Sequence, residues 1–260
     1  MSEKKQRRVH RIIELLEQHG KMETATLSQQ LGVTELTVRR DIEHLDAMGV
    51  ARRVYGGVVL NAGRSFEPPF GFRLEANVAG KQAIARAVVQ RIARGENVAL
   101  DFGTKAYHVA QEMRRSRLQC LVAPTSAQVI EVLGQGTDIH VLVPGGELKP
   151  VELSFYGSAT EDFFRSRRWD IAIVGVAGVS VENDALSDYN ESDARVKAAM
   201  CAAADRVVVM AERQHLGSAS FAPVCALSRV STVVTDAVGP HETLTALEQR
   251  GIEVVRAVTP

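Results

Sequence analysis

An α/β chain in two parts is what this sequence predicts: a winged helix-turn-helix over residues 1–60, a mainly parallel sheet covered by helices over 76–260, and a linker at 61–75 between them. Three observations predict it. An apolar stripe of helical period stops at Gly32 and a second begins beyond it, with arginines on its free face. A strand-like run and the pair Gly56-Gly57 follow directly. Past residue 76, short Val/Ile/Ala-rich runs alternate with helical patterns, as parallel strands buried on both faces do.

In the first helix Val9, Ile12, Ile13 and Leu16 fall at i, i+3, i+4 and i+7 and make one apolar face. A short helix with Leu27 and Leu31 ends in a sharp turn at Gly32. Thr34 is placed to cap the next helix, its hydroxyl accepting an orphan backbone N–H. That helix buries Val38, Ile42 and Leu45 and leaves Leu36, Thr37, Arg39, Arg40 and Glu43 on the opposite face and its flanks. A helix packed on one side and offering arginines on the other suits a DNA major groove. After Gly49, residues 50–55 read as a strand, Gly56-Gly57 as the tip of a wing, and 58–60 as the return strand.

The candidate DNA contacts follow from this layout. Lys4, Lys5 and Arg8 lie along the first helix, Thr34, Leu36, Thr37, Arg39 and Arg40 on the recognition helix, and Arg52, Arg53 and Tyr55 in the wing. Arg39 and Arg40 are expected on bases or phosphates, Thr37 and Leu36 on base edges, and the basic N-terminus with Arg52 and Arg53 on the backbone. The chain as a whole is not basic, with 31 Lys+Arg against 31 Asp+Glu, so nucleic-acid affinity must come from such a local patch. Cys120, Cys201 and Cys225 are scattered without metal-ligand spacing and read as small apolar residues, not disulfides. Neither a signal-peptide core nor a long apolar span is evident, so a cytoplasmic chain with no membrane contact is expected.

Residues 61–75 break both periodicities with two prolines and two glycines and read as a linker, which Phe66, Phe70 and Phe72 would dock on a surface. Beyond it a helix is expected over 81–93, and strands near 98–100, 118–123, 139–143, 171–176, 206–210, 232–235 and 253–255. In such sheets ligands bind beyond the carboxyl ends of the strands. The segments there are Asp101-Phe102-Gly103-Thr104-Lys105, Pro124-Thr125-Ser126, Pro144-Gly145-Gly146-Glu147, and Gly175 to Gly178 with Leu186-Ser187-Asp188 after it. The first turn of a helix at Gly103, the Thr104 hydroxyl and Lys105 can together hold an anion. A tight turn with a helix cap is the plainer reading of the same residues. Several such loops on one sheet edge point to a pocket for a phosphorylated polyol.

Leu36-Thr37-Val38-Arg39-Arg40-Asp41-Ile42, with Arg53, Gly56 and Gly57 after it, resembles the DeoR family of bacterial sugar-metabolism regulators. The resemblance runs through nearly the whole chain. It implies a sugar-phosphate-isomerase-like sensor domain that binds a phosphorylated sugar. The family's Asp-x-Gly-Thr-Thr loop is matched by Asp101, Gly103 and Thr104, with Lys105 in place of the second threonine. Its Thr-Asn-Ser loop is matched in part by Thr125 and Ser126, its Gly pair by Gly145 and Gly146, and its acidic-Ala-x-x-Lys helix by Asp193, Ala194 and Lys197. Its Asp-x-x-Lys-x-Gly motif appears with Glu212 and His215 at the Asp and Lys positions, and that departure gives His215 a pH-sensitive contact. With Asp188, these make up the candidate effector site.

The expectation is therefore a DNA-binding regulator, a repressor of a carbohydrate operon. Its partners would be double-stranded operator DNA, a phosphorylated sugar effector and further copies of itself in a homodimer or homotetramer. No cofactor, metal or catalytic residue is expected. The alternative is a sugar-phosphate isomerase fused to a DNA-binding module, with Asp101, Glu147, Asp188 or Glu212 as the base. The isomerase's catalytic acidic run is absent.

Overall fold

The protein is described by a computed structural model covering residues 3–47, 49–60, 67–135 and 138–258. The chain packs as two units, Met1–Ala76 and Asn77–Pro260.

In the first unit α1 (Glu3–His19), β1 (Lys21–Glu23), α2 (Thr24–Leu31) and α3 (Glu35–Ala47) precede a wing of β2 (Ala51–Val54) and β3 (Gly57–Leu60). The helical stripes meet as their spacing requires: Val9, Ile12 and Leu16 pack with Leu27 and with Val38, Ile42 and Leu45. The wing closes this core with Ala51 and Val58. One strand was not legible in advance. β1 pairs antiparallel with β3, Met22 opposite Val58, so the wing is a three-stranded sheet in the order β1-β3-β2. Three residues are too few to display an alternation, and their partner lies far along the chain.

Part of the expected linker is helical. Residues 61–66, Phe66 among them, lie outside the described residues. Behind Pro68 and Pro69 the chain turns into α4 (Phe70–Glu75), with Phe70 buried and Phe72 packed on the winged-helix core. Proline ahead of a first turn costs the helix nothing, because the N–H groups there have no intrahelical partner.

The second unit opens with α5 (Val78–Val89), β4 (Asn97–Leu100), α6 (Gly103–Arg115), β5 (Leu121–Pro124), α7 (Ala127–Leu133) and β6 (His140–Val141). A hairpin of β7 (Glu147–Leu148) and β8 (Phe155–Tyr156) and the helix α8 (Ser158–Arg165) lead to β9 (Trp169–Gly175). Then come β10 (Gly178–Ser180), β11 (Ala185–Asp188), α9 (Glu191–Ala203), β12 (Ala204–Met210), β13 (Ala222–Ala226), β14 (Thr232–Thr235), α10 (Glu242–Gln249) and β15 (Glu253–Arg256).

Seven strands form one sheet in the order β15-β14-β12-β9-β4-β5-β6, and every neighbouring pair is parallel. These are the seven strands the sequence predicts. Their side chains alternate between two cores. Ile171 and Ile173 of β9 face the layer of α5, α6 and α7, while Ala172 and Val174 face the layer of α8, α9 and α10. The chain starts the sheet at β4, runs outward through β5 and β6, then returns to β9 and runs out the other way. Right-handed crossovers in opposite directions put the helices on opposite faces. They also leave a crevice between the carboxyl ends of β4 and β9, where the connections diverge.

A second sheet, β10-β11-β13, is antiparallel and was not anticipated; its strands are short, and β13 joins β11 from far along the chain. All three cysteines are free thiols. Among the described residues no helix is long and apolar enough to cross a membrane.

Candidate functional site

In the first unit α3 is capped as its sequence predicts, the Thr37 N–H donating to Thr34 Oγ1 at 3.3 Å and to the Thr34 carbonyl at 2.9 Å. With Val38, Ile42 and Leu45 turned inward, Arg39 and Arg40 stand exposed and Leu36 is 61% exposed. An exposed leucine next to arginines is costly in water and useful against a base edge. Two glutamates engage Arg39 and the wing's Arg53. Glu35 accepts from Arg39 at 3.5 Å, and Glu43 accepts from Arg53 of the wing at 3.2 Å. A groove runs between α3 and the wing, lined by Glu35, Arg39, Arg53 and Tyr55 among others. Tyr55 is fully exposed at the wing tip, Arg52 and Lys4 are exposed and Lys5 is half-buried.

Arg8 departs from expectation. Its guanidinium, expected on the phosphate backbone, donates to both carboxylate oxygens of the buried Asp41, at 2.5 and 3.1 Å. A bidentate, charge-assisted pair of this kind is a structural tie between α1 and α3. The same pair explains Asp41 in the recognition-helix motif: it faces inward, away from the groove.

In the second unit the crevice between β4 and β9 gathers the expected residues around a buried lysine. Lys197 of α9 is paired with Asp101 and with Asp188 (3.1 Å), and donates to the Gly175 carbonyl at 2.9 Å. Asp101 in turn accepts from the Gly175 N–H at 2.9 Å, so one carboxylate bridges the ends of β4 and β9. Burial opposes the charge on Lys197, yet Asp101 and Asp188 outweigh it and hold the ammonium protonated well above its ordinary range. Burial first, with the neighbouring Asp188 charge, pushes the Asp101 carboxyl upward, and Lys197 offsets only part of that. Asp101 and Lys197 were expected to contact the effector. In the structure they are paired with each other through Asp101 Oδ2, which also fixes Gly175, while Asp101 Oδ1 is buried with no hydrogen-bond partner among the described residues.

Above this floor α6 begins. Gly103 takes a left-handed φ of 88°, which turns the chain from β4 into the helix, and Phe102 ahead of it provides no side-chain cap. The first-turn amides of an α-helix have no intrahelical partner. Thr104 is buried beside them, and Lys105 lies over Gly175 with its Nζ 3.9 Å from Glu212. A Cβ on Gly175 would stand 3.3 Å from Lys105 Cε, so this glycine makes room for the lysine.

Thr125 and Ser126, both fully buried, follow β5 one strand away. The strap 147–156 closes over them, with the Ala127 N–H donating to the Leu153 carbonyl and the Phe155 N–H to the Thr125 carbonyl. Thr125 Oγ1 and Ser154 Oγ are buried without a hydrogen-bond partner among the described residues. Gly145 and Gly146 have a packing reason: Gly146 has a φ of 110° and lies against Thr160, whose hydroxyl donates to the Gly145 carbonyl at 2.8 Å. His215 is buried in a turn after β12, and that turn is tied to β10 by Gly217 N–H to Val179.

Residues the sequence reading passed over complete the edge. Asn77 donates to Glu212 at 2.8 Å and to Asp236 at 2.6 Å. Lys149 of the strap pairs with Asp193 at 2.7 Å. Asn77 directly before a helix carried only a capping signal, and its partners lie more than a hundred positions away.

Comparison with known proteins agrees with both units. The DeoR-like helix-turn-helix domain matches residues 8–64, and the DeoR C terminal sensor domain matches residues 76–237. This chain belongs to the DeoR family. It is 30% identical to the HTH-type transcriptional regulator GlpR of Haloferax volcanii, over 96% of this chain and 97% of that protein. It is 28% identical to the glycerol-3-phosphate regulon repressor of Escherichia coli (strain K12), over 96% of this chain and 98% of that protein. Among solved structures, ribose 5-phosphate isomerase A from Methanocaldococcus jannaschii shares 18% identity over 52% of this chain and 53% of that one, with a TM-score of 0.39. A DeoR helix-turn-helix and a DeoR sensor domain in one chain make it a DNA-binding transcriptional regulator.

Proposed function

We infer that this regulator represses a carbohydrate operon and is controlled by a phosphorylated sugar bound in the crevice between β4 and β9. The observation that carries the reading is Lys105, placed in the first turn of α6 at the switch point, where helix amides and an ammonium can share one phosphate. The relative named a glycerol-3-phosphate regulon repressor supports a phosphorylated effector. Two recognition helices in successive major grooves require a homodimer or a homotetramer, built through the 77–260 unit.

Catalysis is disfavoured by how the acidic groups are engaged. Asp101 (through one oxygen) and Asp188 are ion-paired with Lys197, Glu212 accepts from Asn77, and Glu147 accepts from the Tyr156 hydroxyl at 3.1 Å on an exposed hairpin. A general base needs a carboxylate free to take a proton from substrate.

The test is a thermal-shift panel on the whole chain with glycerol 3-phosphate and hexose 6-phosphates, each beside its unphosphorylated parent. A ligand at 100 times its Kd stabilises the folded state by about 2.7 kcal/mol, so a true effector raises Tm visibly. Equal shifts from sugar and sugar phosphate would remove the phosphate from the reading. Turnover of a pentose phosphate would favour the isomerase.

A further inference from the structure

Asn77 is the first residue of the sensor unit, since the preceding unit ends at Ala76. Its backbone is left-handed, with φ 46° and ψ 44°, a conformation asparagine tolerates better than most residues. It occupies the cap position of α5, where an asparagine side chain ordinarily accepts a helix N–H, yet it makes no such bond. Its amide is turned instead toward two carboxylates at the ends of neighbouring strands, Glu212 after β12 and Asp236 after β14. The packing is tight: a Cβ on Gly80 would stand 2.5 Å from Asn77 Oδ1 and 2.6 Å from Asp236 Oδ2. The Arg213 N–H fixes the other oxygen of Asp236 at 2.8 Å.

Glu212 links this arrangement to the crevice. One of its oxygens accepts from Asn77 and the other faces Lys105. A single buried carboxylate therefore joins the candidate phosphate lysine to the first residue of the sensor unit. Only Ala76 separates that residue from α4, whose Phe72 packs on the winged-helix core.

We propose that Lys105, Glu212 and Asn77 form a relay that carries occupancy of the crevice to the junction of the two units. At 3.9 Å the Lys105–Glu212 pair is at the outer limit of an ion pair. A phosphate brings a larger charge and more acceptor oxygens to the same ammonium and draws it away. Glu212 then faces Asp236 across one amide without its cation, and like charges so close repel. The hold on Asn77 loosens, its backbone dihedrals are released, and α4 follows. The proposal rests on the effector reading for what occupies Lys105, and on the observed contacts for the rest.

Hydrogen exchange of the whole chain, followed over peptides spanning 67–81, tests it. Lys105→Ala, Glu212→Gln and Asn77→Gly should each speed exchange at residues 77–81 by about fivefold, the scale of one net hydrogen bond. Lys105→Ala combined with Asn77→Gly should do no more than the larger single change. Asn77→Gly keeps the left-handed backbone and removes only the amide, so wild-type exchange in that variant overturns the relay. So does an unchanged profile in both Lys105→Ala and Glu212→Gln, since Gln preserves the fold's shape if Ala does not. Glycerol 3-phosphate is the ligand probe. If it raises Tm, it must also change exchange at 77–81 in the wild type and not in Asn77→Gly, or the relay fails. If it leaves Tm unchanged, the effector reading fails at this ligand, and the ligand-free variants decide the relay by themselves.

Discussion

Arg8 and Asp41 close a two-bond ion pair that fastens α1 to the inner side of the recognition helix. Asp41 is 1% exposed, and both its carboxylate oxygens accept from that guanidinium. A surface pair would be worth little; a buried carboxylate left alone is costly.

Arg8→Ala should destabilise the winged-helix unit by about 1–3 kcal/mol, the scale of an unsatisfied buried group. Lys4→Ala, on an exposed side chain, should leave stability unchanged. Urea unfolding of both variants is the check, and equal midpoints would return Arg8 to the phosphate contacts.

Arg40 is exposed on α3. If it makes a bidentate contact to a guanine, Arg40→Ala should cost about 1–3 kcal/mol on operator DNA and little on random duplex. Lys4→Ala should weaken both equally and lower the slope of log K against log salt by about one unit. Binding titrations at several salt concentrations separate the two effects; unchanged operator affinity in the Arg40 variant takes it out of base readout.

Lys105→Ala should weaken a phosphorylated effector by about 1–3 kcal/mol and leave its unphosphorylated parent untouched, because only the phosphate draws on the ammonium. Calorimetric titration of both ligands measures this. Equal losses for the two would mean that Lys105 acts on the fold of the crevice.

Lys197→Met should be far more damaging. It leaves Asp101 and Asp188 buried without their shared cation, a loss on the order of 3–5 kcal/mol. Adding Asp101→Asn to Lys197→Met should recover part of that loss. If the double variant is no more stable than the single one in thermal unfolding, the carboxylates were not the cause.

His108 gives the sensor unit a pH dependence. Burial first, and then the charge of Lys81, push its imidazole below the ordinary 6.5. The folded state thus refuses a proton that the unfolded chain accepts. Stability from this group is complete above pH 6.5 or so and is lost as pH falls toward the lower folded value. His108→Gln should flatten the fall of Tm between roughly pH 7.5 and 5. Parallel Tm curves for wild type and variant would show that His108 contributes nothing.

Much of this molecule was legible before folding. The stripes of Val9, Ile12 and Leu16 and of Val38, Ile42 and Leu45, the cap at Thr34, and the strand positions of the seven-stranded sheet are local facts, set by periodicity within a dozen residues. The loops after β4, β5 and β12 could be placed on one sheet edge because parallel strands all end on the same side. Family membership was legible too, since it resides in contiguous motifs.

Tertiary structure decided what each of those residues does. Residue type marks Arg8 as a phosphate contact and Asp101 with Lys197 as ligand contacts. A charged side chain takes the nearest opposite charge once folding removes water, and that partner can lie anywhere in the chain. Asp41 claims Arg8, and Asp101 and Asp188 claim Lys197. Lys105 comes to lie beside Glu212, and Glu212 accepts from Asn77. Periodicity reports which side of an element is buried, because solvent acts on every residue alike. It is silent on pairing across 135 positions, because that distance is closed only when the sheet is assembled.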